Sequence, residues 1–387
     1  MTAETYGLTW PGKERAISDA SAPVFGSLIR GDPVFEDPVS GGAVLDGAQG
    51  DGATPAAGST FIEGDNLAAL KLLLPSYRGS IKMIYIDPPY DTGNKYSYRD
   101  DFAAATWLSM MYSRLLLARE LLRDDGLIFI SINDVELANL TLLCREIFGP
   151  GNHLNTIIWH YGKMSNEHHR LPNNHEYVLV FRKTPLGKIT AKVKKEDSEY
   201  RNRYHRFLTP DNKVLYGAVK RSTDRLIALR VAKVAKELGK TELADDDILF
   251  DFDKEYKSHS DVIYVPHLKG NSGERISAFG TGQKPLALME LLLQFGAPNP
   301  DAIVLDFFAG TGTTGEAVVR LNAKDGGRRS FILIQSAEPL KAAVNKPSGE
   351  TAETEQTTIA DLCRARLSRA CAEFTTYRIA QDPVKVP

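Results

Sequence analysis

The feature that most constrains the fold of this chain is a glycine-rich turn that comes late in the sequence. An apolar run, Ala302–Leu305, leads into the segment Asp306–Gly315, whose last three glycines have the spacing Gly-x-Gly-x-x-Gly. A helical pattern, Glu316–Leu321, follows directly. Strand, glycine turn and helix form a unit that brings backbone N–H groups and a helix N-terminus to a ligand. Only 72 residues follow Gly315 (387 minus 315), so the remaining strands of such a fold must come from upstream.

A second segment whose residues could take part in binding or catalysis lies upstream. The apolar run Met83–Ile86 reads as a buried strand, and the turn Asp87-Pro88-Pro89-Tyr90 closes it. This turn offers a carboxylate, a proline-restrained carbonyl and an aromatic ring, which together suit a flat exocyclic amine such as N6 of adenine. Asp87 and the Pro88 carbonyl would accept its two N–H groups while Tyr90 stacks on the base. The competing interpretation is a strand-end turn with an ordinary Asp cap, and the tetrapeptide alone does not decide between them.

The order of these two segments gives the chain a recognisable resemblance. With Asp-Pro-Pro-Tyr first and Asp-x-Phe-x-Gly-x-Gly last, it resembles the β-class DNA amino-methyltransferases, and more closely the modification subunits of type III restriction systems. Further matching segments are Phe61–Leu67, Asp87–Asn94, Thr106–Met111, Asp125–Asp134, Glu146–Gly149, Gln283–Pro285, Phe331–Gln335 and Thr358–Leu362. Two features differ: at 387 residues the chain is shorter than typical type III modification subunits, and its middle region matches no family segment.

The resemblance implies an α/β, Rossmann-like, S-adenosylmethionine-dependent methyltransferase fold in circularly permuted motif order, with an inserted target-recognition region. The expected parts are an N-terminal extension with a flexible Gly/Ala-rich linker (1–59), a catalytic half (60–160), the recognition insert (161–275) and a cofactor-binding half (276–387).

Apolar runs and helical patterns alternate from Thr60 onwards, as expected of an α/β domain. The predicted strands are Ile81–Ile86, Gly126–Ile132, Asn155–His160, Tyr177–Arg182, Ala302–Leu305 and Phe331–Gln335. The predicted helices are Leu67–Leu74, Thr106–Leu122, Val135–Phe148, Lys284–Gln294, Glu316–Leu321 and Ile359–Phe374. Residues 1–60 are predicted to be weakly ordered, and Ala337–Gln356 is predicted to be a mobile loop.

The resemblance also implies that the cofactor is S-adenosylmethionine, bound mainly by the late segment. Asp306 would lie near the methionine ammonium, and Gly310 and Gly312 would let the backbone approach the ligand closely. Thr313 and Lys284 are candidates for the cofactor carboxylate.

Further predicted cofactor contacts concern the ribose diol and the adenine. Gln335 and Glu338 compete for the ribose diol, because Gln335 has the better position at a strand end and Glu338 has acceptor-only chemistry. Asp65 is a candidate for the adenine end, although a helix N-cap explains it equally well. Phe308 completes the set of predicted cofactor-binding residues.

The charge distribution indicates a polyanionic partner. The net charge of the chain is only −2, yet residues 161–240 carry 19 Lys plus Arg against 8 Asp plus Glu, a balance of +11 that leaves −13 for the remainder. A solvated, lysine-rich face is the alternative, but an excess of this size in one segment of an acidic chain favours nucleic acid. In the family that the chain resembles, the target-recognition region occupies this position.

Three arginines are the predicted DNA-contacting residues of this basic segment. Arg201, Arg203 and Arg206 lie beside Tyr200 and Tyr204, which mixes cationic groups with aromatic rings that could stack on bases. The alternative is a solvated helix face that contacts no partner.

Metal chemistry is not expected. His168, His169 and His175 cluster in sequence, but no cysteine pair accompanies them, and the chain contains no Cys-x-x-Cys or His-Glu-x-x-His. They are better interpreted as recognition-loop or phosphate-contacting residues.

A cytoplasmic location is expected. Three widely spaced cysteines, Cys144, Cys363 and Cys371, favour a reducing compartment. No apolar run approaches the length that spans a membrane, and no signal peptide is visible, so no membrane partner is expected.

The residues and the resemblance together predict a site-specific DNA methyltransferase that modifies N6 of a flipped-out adenine, with Asp87, Pro88, Pro89 and Tyr90 as catalytic residues. Two alternatives stay open: methylation of N4 of cytosine, for which related enzymes more often carry Ser at the position of Asp87, and a non-catalytic DNA-binding component. DNA is the expected partner, and a second copy or a restriction subunit are further partners consistent with the resemblance.

Overall fold

The protein is described from a computed structural model, and it divides into two compact units. The described residues are 7–24, 27–30, 58–91, 104–162, 173–190, 192–194, 204–252, 254, 256–268, 274, 282–340, 358–371 and 374–380. The first unit comprises Met1–Thr190 and Asp261–Pro387, and the second comprises Ala191–Ser260. None of the helices in the described part of the chain is long and apolar enough to cross a membrane.

The elements alternate along most of the chain. The helices are α1 (Lys13–Ser21), α2 (Asn66–Tyr77), α3 (Ala104–Leu121), α4 (Leu137–Phe148), α5 (Tyr216–Val219), α6 (Arg225–Leu238), α7 (Leu286–Gly296), α8 (Thr313–Asp325) and α9 (Ile359–Ala370). The strands are β1 (Ser27–Arg30), β2 (Thr60–Glu63), β3 (Ile81–Ile86), β4 (Leu122–Ile132), β5 (His153–His160), β6 (His175–Arg182), β7 (Lys192–Lys194), β8 (Lys213–Leu215), β9 (Ile248–Asp251), β10 (Tyr256–Ser258), β11 (Val262–Tyr264), β12 (Ile303–Asp306), β13 (Ser330–Gln335) and β14 (Thr375–Ala380).

The first unit is built on one mixed sheet of ten strands. Its order is β1-β14-β2-β13-β12-β3-β4-β6-β5-β11. The strands from β14 to β4 run parallel to one another, whereas β6 is antiparallel to both β4 and β5, and β1 is antiparallel to β14. This arrangement confirms the predicted α/β, Rossmann-like fold with permuted motif order, because the late strand β12 lies in the middle of a sheet completed by earlier strands.

The two strands that the sequence singled out are neighbours. β12 pairs in parallel with β3, with Val304 opposite Met83 and Leu305 opposite Ile84. The chain leaves β12 towards β13 on one side and leaves β3 towards β4 on the other side. In open α/β sheets, ligands bind at the carboxyl ends of strands where the connections diverge in this way. The fold therefore brings the ends of β3 and β12 to the expected place for a site.

Helices cover the sheet because each central strand is apolar on both faces. All six residues of β3 are buried. Ile84 and Ile86 belong to a core that also contains side chains of α2, α3 and α4. Met83 points to the opposite face, since a strand alternates its side chains, and it lies against Gly296 of α7.

The second unit has its own small core. β8 pairs with β9 and β7 pairs with β10, both antiparallel. Tyr204, Phe250 and Phe252 are buried together, and the ring of Tyr204 stacks on Phe250 at a centroid distance of 4.7 Å. Tyr204 is 1% exposed. The structure therefore corrects the prediction that this tyrosine offers a stacking surface to nucleic acid, because its ring is part of the core.

The prediction that the chain before Thr60 is weakly ordered is wrong for part of that region. Residues 7–24 and 27–30 are structured, because distant side chains hold α1: the Trp10 indole N–H donates to Ser109 Oγ at 2.9 Å, and Lys13 pairs with Glu146 at 2.7 Å. The Gly/Ala-rich linker lies largely within residues 31–57, outside the described residues. Most of the predicted mobile loop, from residue 341 onwards, also lies outside them.

Several boundaries of helices, strands and the insert differ from those predicted from the sequence. The last helix ends at Ala370, and an unpredicted strand, β14, then enters the sheet between β1 and β2. Of the expected 161–275 insert, β6 and β11 belong to the large sheet, while Ala191–Ser260 form the second unit. The recognition role of this region stays a prediction.

Candidate active site

A cavity of about 420 Å³ opens where the strand ends meet. The turn after β12, the carboxyl ends of β3 and β13, the start of α2 and Lys284 line it. Small-molecule sites fall in this size range, at roughly 300–1,000 Å³. The cavity belongs wholly to the first unit and brings together most of the residues predicted from sequence to form the site.

Asp306 is the most deeply buried carboxylate of the cavity wall, with 1% of its surface exposed. The Phe308 N–H donates to Oδ1 at 3.0 Å, and the Thr314 hydroxyl donates to Oδ2 at 2.6 Å. Burial raises the pKa of Asp306 to about 7, although these two hydrogen bonds oppose the rise. No cation among the described residues pairs with this carboxylate, and a cation placed beside it in the cavity would offset its negative charge.

The glycine turn presents its backbone to the cavity. Gly310 has φ 53°, in the left-handed region that favours glycine, and no described atom lies within 4 Å of where its Cβ would be. Gly312, at φ 81°, precedes α8, and a Cβ there would lie 2.9 Å from Cys363 Sγ of α9. Gly310 therefore leaves room on the cavity side, whereas Gly312 is also required for close helix packing. Phe308 and Thr313 line the cavity on either side of this turn.

The two candidates for the ribose diol make different hydrogen bonds. The Gln335 amide oxygen already accepts the Gly310 N–H at 2.8 Å, so it fixes the glycine turn. The exposed Glu338 carboxylate lines the cavity and accepts one hydrogen bond, from Ser336 Oγ at 2.8 Å. Glu338 therefore keeps more acceptor capacity among the described residues, and the choice between the two as ribose ligand stays a prediction.

Asp65 is an N-cap and also a cavity residue. Its Oδ1 accepts the Ala68 N–H at 2.9 Å at the start of α2, and its Oδ2 accepts from Arg114 Nη2 at 3.2 Å. Asn66 next to it donates to the Phe307 carbonyl at 2.7 Å, which ties α2 to the turn after β12. The N-cap explanation is therefore correct for Asp65. The residue also lines the cavity, and its contact with the cofactor stays a prediction.

Hydrogen bonds hold the Asp87 turn in place. The Trp107 indole N–H donates to the Pro89 carbonyl at 2.7 Å, and the Tyr90 hydroxyl lies 2.7 Å from Asp87 Oδ1. Pro88 is buried, and no described group donates to its carbonyl. Among the described residues, the turn thus has a carbonyl without a donor beside a carboxylate, and these two groups can accept the two N–H bonds of an exocyclic amine.

Lys284 lines the cavity and also contacts the residues of the Asp87 turn, while its role as a ligand of the cofactor carboxylate stays a prediction. Its ammonium lies 2.9 Å from Asp87 Oδ2, 3.2 Å from Glu176 Oε2 and 2.9 Å from the Tyr90 hydroxyl. The residue is 8% exposed. Pro285 beside it is the N-cap of α7 rather than a first-turn residue.

Glu176 is a site residue that sequence reasoning missed. It lies in β6, which pairs with β4, while Asp87 follows β3 on the other side of β4. The signal was weak, because a single glutamate at the start of an apolar strand is common and only the sheet order brings it to Asp87.

Burial and neighbouring charges set the protonation states of Lys284, Tyr90 and Asp87. Burial alone would lower the pKa of Lys284, but Asp87 and Glu176 outweigh burial and raise that pKa, so the side chain stays cationic. Burial and the two carboxylates raise the pKa of Tyr90 well above its usual value, so the phenol keeps its proton. Burial raises the pKa of Asp87, and Lys284 opposes that rise.

The predicted DNA contacts are only partly described. Arg206 is exposed, and its guanidinium lies 4.8 Å from the ring centre of Phe207. Arg201 and Arg203 lie outside the described residues.

Comparison with known proteins gives consistent matches. The chain is 32% identical to the type III restriction-modification enzyme StyLTI Mod subunit of Salmonella typhimurium, over 81% of this chain and 57% of that subunit. It is 28% identical to the type II methyltransferase M.KpnI of Klebsiella pneumoniae, over 83% of this chain and 89% of that enzyme. The solved M1.HpyAVI complex with SAM is 18% identical, covers 80% of this chain and 100% of its own, and has a TM-score of 0.41.

The length of the match differs among these relatives. The chain spans 57% of the StyLTI subunit and 65% of the EcoP15I Mod subunit of Escherichia coli, which is less than two thirds of either.

A family model described as DNA methylase matches residues 81–346, more than half of the 387 residues. That span contains both the Asp87 turn and the glycine turn that meet at the cavity, and by this match the chain belongs to the DNA methylase family.

Proposed function

We propose that this chain transfers a methyl group from S-adenosylmethionine to N6 of an adenine that is flipped out of DNA. The observation that carries the proposal is the meeting of the Asp87 turn with the glycine turn at one cavity, in a chain of the DNA methylase family. One turn offers acceptors for an amine, and the other offers backbone and a buried carboxylate for a cationic cofactor.

The residues around the cavity fit S-adenosylmethionine. Asp306 is a buried carboxylate suited to the methionine ammonium, and Gly310 leaves space for close approach. Glu338 offers acceptors at the cavity wall for the ribose diol. When bound, this cofactor supplies a methyl group on a positively charged sulfur.

The chain's own groups would act on the target amine. Asp87 and the Pro88 carbonyl accept the two N6 hydrogens, which localises the nitrogen lone pair and stabilises the positive charge that develops on nitrogen. We propose that the ring of Tyr90, whose hydroxyl lies 2.7 Å from Asp87 Oδ1, stacks on the base once the base has entered. No metal ion is needed for these roles, which are alignment and polarisation of an amine.

The proposal is tested by incubating the chain with DNA lacking modified bases and with S-adenosylmethionine carrying a labelled methyl group. The DNA is then digested to nucleosides and separated. Label in N6-methyl-2′-deoxyadenosine supports the proposal, whereas label in N4-methyl-2′-deoxycytidine would redirect it to the other amine. A chain that binds the cofactor by calorimetry and DNA by gel shift but transfers no label would be a non-catalytic binding component.

The proposal also covers the partners of the chain and its location in the cell. The relatives named as Mod subunits belong to restriction-modification enzymes, so we propose DNA as substrate and a restriction subunit or a second copy as protein partners, in the cytoplasm. Sedimentation of the chain alone and with a candidate restriction subunit tests the protein partners.

A further inference from the structure

Four side chains near the end of β3 contact one another: Asp87, Tyr90, Glu176 and Lys284. Lys284 donates to Asp87, to Glu176 and to the Tyr90 oxygen at 2.9, 3.2 and 2.9 Å. The Tyr90 hydroxyl lies 2.7 Å from Asp87 Oδ1 and 3.1 Å from Glu176 Oε2, and its single hydrogen serves one of them at a time. With both carboxylates ionised, this group carries one positive and two negative charges.

Glu176 changes what Asp87 can do within this group. If Lys284 had Asp87 as its only partner, the ammonium would neutralise that carboxylate and occupy one of its oxygens. Because Glu176 shares the ammonium and the phenol, part of the Lys284 charge is directed away from Asp87. The group then keeps a net charge of −1 in a poorly hydrated site, where electrostatic effects are strong.

We infer that Glu176 is a positioning residue of the target-amine pocket, which holds Lys284 and Tyr90 and supplies the second negative charge that lets Asp87 stabilise the positive charge developing on the amine. The inference rests on the proposed function. It also assigns Lys284 to the amine side of the cavity, where its contacts lie, rather than to the cofactor carboxylate.

A purely structural role for Glu176 makes a different prediction. A half-buried glutamate that only anchors β6 would tolerate glutamine, because the amide oxygen can still accept from Lys284 and Tyr90 in the same geometry. The charge, in contrast, is lost on that substitution. Glu176→Gln therefore separates the two roles, and Glu176→Asp restores the charge on a side chain one methylene shorter.

The chain offers a matched control in Glu146. This glutamate also pairs with a lysine and a tyrosine, at 2.7 Å from Lys13 and 2.9 Å from the Tyr112 hydroxyl, but it joins α4 to α1 and α3 and does not line the cavity. Glu146→Gln makes the same chemical change in a similar environment away from the site.

The experiment measures single-turnover methyl transfer to unmodified genomic DNA at saturating cofactor and DNA, with cofactor affinity by calorimetry and thermal unfolding in parallel. For Glu176→Gln we expect the rate to fall about tenfold to a hundredfold, with cofactor affinity within about twofold of wild type because the interaction acts on the developing charge. Glu176→Asp should regain at least part of the lost rate, and Glu146→Gln should match wild type.

Two results would overturn the inference alone: a Glu176→Gln rate equal to wild type, or a loss of rate matched by an equal loss of cofactor affinity and stability. A wild-type chain that binds the cofactor but labels no base overturns the proposed function, and this inference with it.

Discussion

Asp306 is a carboxylate that the fold buries before any cofactor arrives. Burial raises its pKa to about 7, far above the ordinary value of an aspartate, so the folded chain binds this proton more tightly than the unfolded chain does. The stabilisation is therefore fully present below about pH 4 and is lost as the pH rises through about 7. Above that pH the ionised carboxylate destabilises the unliganded fold.

Asp306→Asn should consequently stabilise the unliganded protein at alkaline pH. We expect a gain on the order of a few kcal/mol at about pH 8 and little gain at about pH 4, because the amide cannot ionise and still accepts the Phe308 N–H. Thermal unfolding of variant and wild type across this range measures it. The same variant should bind S-adenosylmethionine at least tenfold more weakly by calorimetry. Parallel pH profiles for the two proteins would contradict the role of this carboxyl in the pH dependence.

Asp87 should affect transfer more than cofactor binding. Asp87→Ala removes an acceptor for the target amine, while Lys284 keeps Glu176 as a partner within 3.2 Å and Asp306 is untouched. We expect methyl transfer to fall at least a hundredfold and cofactor affinity to stay within about tenfold. Complete loss of cofactor binding in calorimetric titration of a folded variant would show that Asp87 is chiefly a cofactor ligand.

At the scale of elements, the glycine turn also sets how α8 packs. Gly312 has φ 81° before α8, and Gly326 has φ 72° after it, so an alanine at either position adopts an unfavourable backbone conformation. A Cβ on Gly312 would also lie 2.9 Å from Cys363 Sγ, whereas a Cβ on Gly326 meets nothing within 4 Å. The two glycines thus differ mainly in packing.

Gly312→Ala should therefore cost more stability than Gly326→Ala. We expect about 1–2 kcal/mol from the backbone conformation in both variants and about 1–3 kcal/mol more from overpacking in Gly312→Ala. Urea unfolding of both variants measures the difference. Equal losses would mean that α9 moves away from the turn without a measurable cost.

The elements predicted from sequence are those whose signal is local. β3 and β12 are apolar runs closed by turn residues, so their presence followed from the residues themselves. β14 alternates apolar and polar side chains over a short span, and its place between β1 and β2 depends on pairing with distant strands. For the same reason α1 was missed, since Ser109 and Glu146 hold it from elsewhere in the chain.

The residues of the site also differ in whether their signal in the sequence is local. The Asp87 turn and the Asp306 turn could be predicted because each is a continuous motif. The partners of Lys284 could not be predicted, because Glu176 reaches it through the order β3-β4-β6 in the sheet. Tyr204 shows the opposite error, since a ring beside arginines in sequence is a core residue in the structure.

At the scale of the whole molecule, opposite charge is concentrated in different parts of the chain. Residues 161–240 carry a balance of +11 within a chain of net −2. In the second unit, exposed cations lie along α6, including Arg225, Lys233 and Lys236. A phosphate backbone neutralised by such groups releases counterions, which makes affinity fall as salt rises.

The affinity for DNA should therefore depend steeply on salt, and replacing Arg201, Arg203 and Arg206 by alanine should weaken binding and flatten that dependence. Each neutralised phosphate adds about 0.9 to the slope of log affinity against log salt, so removing three such cations should reduce the slope by up to about 3. Fluorescence anisotropy with labelled duplex DNA over a salt series measures the slope, and calorimetry should show unchanged cofactor affinity.

The matched control removes three exposed cations from the first unit, Arg15, Lys324 and Arg328, with the same change in net charge. If the basic segment carries the phosphate contacts, this variant keeps the wild-type slope, since net charge alone acts weakly beyond a Debye length of about 8–10 Å. An equal flattening in both triple variants would mean that overall charge, and not the 161–240 segment, governs binding. An unchanged slope in the arginine variant would place the phosphate contacts on other cations, and those of α6 would be replaced next.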